Sequence, residues 1–158
     1  MLGKKRKLGK KLQDLKVGER YNAAFTIEDR DLLIYLGLTD DANPLYVQHD
    51  YASQTPFKQP IVPAVMLFGM VSSIVSMHLP GPGSHILSHS IEYPKPVYHY
   101  ADVRFQLEIT EIDKRSEAIT LHVNGYDTDG EEVVKGSLVV RPPSEPHSMN
   151  ATSLENFY

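Results

Sequence analysis

Residues Thr39 to Tyr46 read Thr-Asp-Asp-Ala-Asn-Pro-Leu-Tyr, a short polar loop with the parts of an acid–base site. A carboxylate such as Asp41 can take a proton from water if the two lie within hydrogen-bond reach. Asn43-Pro44 makes a turn that fixes the loop, and Asp40 or Asp41 could equally serve as its capper. The next residue able to carry a proton is Tyr46. A phenol titrates near 10, whereas an imidazole titrates near 6.5 and both accepts and donates near neutrality. Tyr46 therefore suits holding a water or giving up a proton, and it suits the role of base poorly. His49, three residues on, is a second candidate, although its position fits an exposed helix start. His85, His89 and His99 show no metal-ligand spacing with carboxylates, and the chain has no cysteine, so no metal or other cofactor is expected.

The elements that must position this loop follow from pattern. Tyr21 to Thr26 suits a short strand. Thr26 is the expected N-cap of a helix carrying Leu32, Leu33 and Leu36, which feeds the chain into the loop. Asp50 to Thr55 suits a further helical turn. Ile61 to Leu79 holds no charged residue. Its length would cross a bilayer, but Ser72, Ser73, Ser76 and His78 dilute it and no aromatic or basic girdle brackets it. It is expected to be a helix buried in the fold, with Pro63 in its first turn and Leu-Pro-Gly-Pro-Gly as its stop.

After it the period changes to two. Val103, Phe105, Leu107 and Ile109 alternate with polar residues, as do Ile119, Leu121 and Val123. The turn Asp-Thr-Asp-Gly leads to a third strand, Glu131 to Val140, and His85 to Val97 suits an earlier one. Pro94 and Pro96 push the end of that strand to an edge or bulge. The sum is an α+β layout, with a curved antiparallel sheet around one long helix.

The chain has 158 residues, of which 41% are hydrophobic, enough for one domain with a core. Its net charge is -4, but Lys4, Lys5, Arg6, Lys7, Lys10 and Lys11 supply +6, leaving -10 on the remainder. The expected organisation is a basic flexible arm over 1–13, one domain over 14–141 and a loose tail over 142–158. A solvated terminus accounts for the arm better than a nucleic-acid site does. No apolar run follows the basic start, so no secretory leader is expected, and a cytoplasmic location is expected.

These residues resemble the MaoC-like dehydratases and (R)-specific enoyl-CoA hydratases of the hotdog fold. The likeness rests on Asp41, Asn43, Pro44, Leu45 and Tyr46, then Tyr51-Ala52, Thr55 and Phe57, then Ile61, Pro63, Ala64 and Val65, with the Leu-Pro-Gly-Pro-Gly and Pro-Lys-Pro-Val runs beyond. It covers about Asp14 to Val140. The family pattern has His where this chain has Tyr46, His-Gly where it has Pro63-Ala64, and Gly-Asp where it has Tyr100-Ala101, a pair expected to be mainly structural unless Asp102 takes the acid's place.

The resemblance implies hydration or dehydration of enoyl and 3-hydroxyacyl thioesters of CoA or acyl carrier protein. Asp41 would be the base, Tyr46 its partner at the water and the Ala64 N–H the oxyanion donor, with Asn43, Pro63 and Val65 beside the substrate. It also implies a homodimer, or a heterodimer with a related chain. Two other functions stay open at this level: a degenerate subunit that binds acyl thioesters without turnover, and an acyl-CoA thioesterase. No nucleic-acid partner and no membrane span are expected.

Overall fold

The computed structural model describes residues 7–145 of the chain. Five strands form one antiparallel sheet in the order β1-β3-β4-β5-β2: β1 Arg20–Thr26, β2 His85–Glu92, β3 Asp102–Asp113, β4 Ala118–Tyr126 and β5 Glu132–Arg141. The alternation in β3 and β4 puts Val103, Phe105, Leu107, Ile109, Leu121 and Val123 on the buried face, since successive side chains leave a strand on opposite sides. Leu107 pairs with Val123 across β3 and β4, and Ile109 with Leu121, before a register shift at Ile109/Glu111.

Both β1 and β2 are edge strands, and β2 ends at Glu92, just before Tyr93-Pro94. That outcome agrees with what the two prolines require, because proline cannot donate to a ladder. Gly136 permits the β2–β5 contact. A Cβ there would stand 2.1 Å from the Ser90 carbonyl oxygen.

The uncharged run forms helix α4, Ala64–Met77, with Pro63 as its N-cap residue. One face packs into the core through Leu67, Val71, Ile74 and Val75, each burial contributing about 1.5–3 kcal/mol. The opposite side is open in the single chain: Val65 is 61% exposed and Met77 is 47% exposed. Gly69 and Ser73 lie on the same stripe, four residues apart. The helix is thus buried along one face rather than all round. No helix among the described residues is long and apolar enough to cross a membrane.

Among the described residues three shorter α-helices precede it: α1 Asp29–Thr39, α2 Pro44–Val47 and α3 His49–Ser53. Helix α1 corrects one expectation. Its N-cap is Glu28, not Thr26, and the Glu28 N–H donates to Asp31 Oδ2 over 2.9 Å. Thr26 instead ends β1, and its hydroxyl donates to Asp102 of the neighbouring strand.

The basic start is partly packed. The N–H groups of Gly9 and Lys10 donate to the carbonyls of Pro82 and Pro80 over 2.9 Å, and Leu12 rests on the core. Ordered chain therefore begins before residue 14, because the turn after α4 offers carbonyls that this stretch satisfies. At the other end Pro142 and Pro143 are buried. Residues 1–6 of the expected arm and 146–158 of the expected tail lie outside the described residues.

Candidate active site

The loop between α1 and α2 is built by local backbone chemistry. Helix α1 ends where Asp40 turns left-handed, at φ 55°, and sends its N–H back to the Leu36 carbonyl over 2.8 Å. Aspartate tolerates that conformation better than most residues. The reversal carries Asp41 back over the last turn of α1. There its Oδ2 accepts a hydrogen bond of 2.8 Å from the Tyr35 hydroxyl, and its N–H donates to Thr39 Oγ1 over 3.3 Å. Thr39 in turn donates to the Tyr35 carbonyl over 2.8 Å. Asn43 then caps α2, its Oδ1 accepting from the Leu45 N–H over 3.0 Å, with Pro44 in the first helical position.

Tyr46 follows in α2, and it lines a cavity of about 470 Å³ on one side of α1, with Leu32, Leu36, His49, His99 and Tyr100. Asp41 is not among the residues of that cavity. The two residues named as an acid–base pair are close in the chain, and no hydrogen bond joins them among the described residues. Tyr46 remains within electrostatic reach of Tyr35.

A second cleft, of about 420 Å³, runs between α1 and α4. Tyr35 and Thr39, the two residues that hold Asp41, form one wall, and Val65, Met66 and Met70 form the other. Its lining is almost wholly apolar apart from Asp31, Thr39, Ser73 and the Tyr35 hydroxyl. At the head of this cleft α4 begins. Among the described residues the N–H groups of Ala64 and Val65 have no acceptor, as expected for the first turn of a helix. They carry the positive end of the helix dipole, which attracts negative charge. Pro63 has no N–H to offer and serves to set the entry angle of the helix.

Hydrogen bonding and burial also shift two of the site's titratable groups. The bond to Asp41 raises the Tyr35 phenol above its ordinary value, with burial and the carboxylate's charge adding to it. Burial lowers the His99 imidazole, against the pull of nearby Asp29. Both His99 ring nitrogens are buried without a hydrogen-bond partner among the described residues; the Tyr46 backbone comes near them but not in hydrogen-bond geometry. Tyr100, at φ 66°, donates its N–H to the Ile27 carbonyl over 2.7 Å and its hydroxyl to Asp29, which ties the start of β3 to the start of α1. Asp102 accepts from Thr26 rather than facing either cavity.

Sequence reasoning missed Tyr35 and left His99 idle. Tyr35 sits in an apolar helical pattern and passes for part of it. No group of three or more His, Cys, Asp or Glu among the described residues is arranged to hold a metal.

The family model described as a MaoC like domain matches residues 13–130. The chain belongs to the MaoC-like family. An (R)-specific enoyl-CoA hydratase of Rhodospirillum rubrum is 29% identical to this MaoC-like chain over 132 residues, covering 84% of it and 91% of the relative. A 3-hydroxybutyryl-CoA dehydratase of Methylorubrum extorquens is 27% identical, covering 78% of the chain and 82% of the relative. Among solved structures, the (R)-hydratase from A. caviae involved in PHA biosynthesis superposes with a TM-score of 0.79 at 28% identity, covering 83% of this chain and 99% of that one. The five-stranded antiparallel sheet of this MaoC-like chain is the hotdog architecture of those neighbours.

Proposed function

We propose that this MaoC-like protein hydrates trans-2-enoyl thioesters to (R)-3-hydroxyacyl thioesters, or runs the reverse dehydration. The observation that carries the reading is the cleft between α1 and α4, bordered by the residues that hold Asp41 and headed by the unpaired N–H groups that begin α4. Its volume of about 420 Å³ suits a small acyl group.

In the hydration direction Asp41 takes a proton from water, and the water oxygen bonds to C3 of the enoyl group. The electron pair of the double bond moves toward the thioester, whose oxygen gathers negative charge. The Ala64 N–H stabilises that charge, as preorganised donors do in a water-poor site. A proton then returns to C2, completing the elements of water across the bond. Tyr46 holds the water or donates that proton, Asn43 keeps the loop in shape, and Pro63 and Val65 border the acyl thioester. No cofactor is required, since every step is a proton transfer or an addition.

The names of the relatives support the reaction class. The carrier, CoA or acyl carrier protein, is proposed only as a thioester. We also propose assembly with a second copy or a related chain, because the exposed stripe of α4 and the apolar residues Leu33, Ile34 and Leu38 on α1 leave much apolar surface uncovered in one chain. The working unit is residues 14–141, with the stretches on either side as accessory segments.

One observation favours a second reading, a subunit that binds acyl thioesters without turnover: Tyr46 lines a different cavity from the cleft beside Asp41. The test is a spectrophotometric hydration assay on crotonyl-CoA and a longer enoyl-CoA, beside a thioester-cleavage assay. Loss of the conjugated enoyl absorbance without thiol release supports the hydratase. Thiol release points to hydrolysis, and neither signal points to the silent subunit.

A further inference from the structure

We propose that Tyr35 is the positioning residue of the base, fixing Oδ2 of Asp41 so that Oδ1 is left to take the water's proton. This rests on the reading of Asp41 as base. A carboxylate on a loop can turn about two side-chain bonds, and its catalytic value falls with each orientation that misses the water. Here one bond stops the side chain from turning and a second holds the backbone that carries it. The Tyr35 hydroxyl donates to Oδ2 over 2.8 Å, and the Asp41 N–H is held by Thr39 Oγ1, whose own hydroxyl is tied to the Tyr35 carbonyl. Oδ1 has no partner among the described residues.

The contact depends on the left-handed turn at Asp40. Without it the chain would continue along the α1 axis and Asp41 would point away from the phenol six residues earlier. Helix packing does not require the hydroxyl. The Tyr35 ring lines the cleft with Phe25, Ile34, Met66 and Met70, a setting that phenylalanine would fill equally well. What phenylalanine lacks is the donor. Because the bond to Asp41 raises the Tyr35 phenol, that donor keeps its proton throughout the neutral range. In this role Tyr35 holds the group that takes the proton.

The test is steady-state kinetics of the full chain on an enoyl-CoA, with Tyr35→Phe and Thr39→Val as separate variants. Tyr35→Phe is expected to lower kcat by about 10- to 100-fold with KM within about twofold, the signature of a mispositioned base. Thr39→Val is expected to lower kcat by a smaller factor, again with KM held, and it checks the same restraint without touching the cleft's aromatic wall. Circular dichroism melts within a few degrees of wild type show that both variants fold. A rise in KM at unchanged kcat would make Tyr35 a wall of the cleft and overturn the proposal, as would unchanged kinetics in a wild type that is active. A wild type with no hydratase rate overturns the reading of Asp41 as base, and the role of Tyr35 with it.

Discussion

The N–H of Ile61 donates to the carbonyl of Leu45 over 3.0 Å, joining α2, the helix that follows the Asp41 loop, to the chain just ahead of α4. One residue on, the Val62 N–H donates to the Val97 carbonyl over 2.7 Å, and Ile61 bridges to Tyr98. The start of α4 is therefore fixed against both α2 and the segment leading into β3. Those bonds tie the start of α4 to the helix that follows the Asp41 loop.

That arrangement allows a clean removal of the proposed oxyanion donor. Ala64 is the first residue of α4, where proline is tolerated because the N–H it lacks has no helical partner. Pro63 already sits at φ -54° and ψ 130°, the extended conformation that a following proline demands. Ala64→Pro is expected to lower kcat by about 100-fold while leaving the thermal midpoint within a few degrees, read by enzyme assay and calorimetry.

At Tyr46 the expected order is Tyr46→His above wild type and Tyr46→Phe below it. An imidazole restores a group that titrates near neutrality, and phenylalanine removes the hydroxyl alone. Rates of the three chains at pH 7 measure this. A Tyr46→Phe variant as fast as wild type would show that Tyr46 takes no part at the water.

The Tyr35 phenol gives a spectroscopic prediction. Its folded value is raised, so it ionises at higher pH than an ordinary tyrosine, chiefly through the bond to Asp41. In an alkaline absorbance titration, the difference between wild type and Tyr35→Phe is expected to ionise late. In the Asp41→Asn background that same difference should move to lower pH, since the negative acceptor is gone. An unmoved difference would mean that the two side chains are not bonded in solution.

Core and surface should answer differently to truncation. Ile74 is 1% exposed, and Ile74→Ala is expected to cost about 2–5 kcal/mol in a urea melt. Val65, 61% exposed on the open stripe of α4, should lose little in a single chain. Val65→Asp is instead expected to weaken self-association, read by light scattering at micromolar concentration.

The strands and the buried helix were legible because their signals are periodic and long. Val103 to Ile109 alternate, and the nineteen uncharged residues from Ile61 to Leu79 leave few alternatives to a packed helix. Shorter-range features competed with tertiary partners. Thr26 has the chemistry of an N-cap, but its hydroxyl is drawn across the sheet to Asp102, and Glu28 with Asp31 takes over the helix start. Asp41 and Asn43 stood out because polar loop residues beside a proline are conspicuous. Tyr35 did not, since its contact with Asp41 needs the left-handed turn at Asp40, a conformation that no spacing rule displays. His99 was hidden in the same way: only the fold shows that its ring nitrogens are buried against the cavity that Tyr46 lines.

The most direct measurement of the central claim is the initial rate of crotonyl-CoA hydration by wild type and by Asp41→Asn, each checked for its melting temperature. The substitution keeps the side chain's size and its place on the loop and removes only the basic oxygen. The account predicts measurable hydration by wild type, loss of essentially all of it in Asp41→Asn, and melts that differ by no more than a few degrees. A wild type inactive on both short and long enoyl-CoA, or an Asp41→Asn chain that hydrates as fast as wild type, would contradict it.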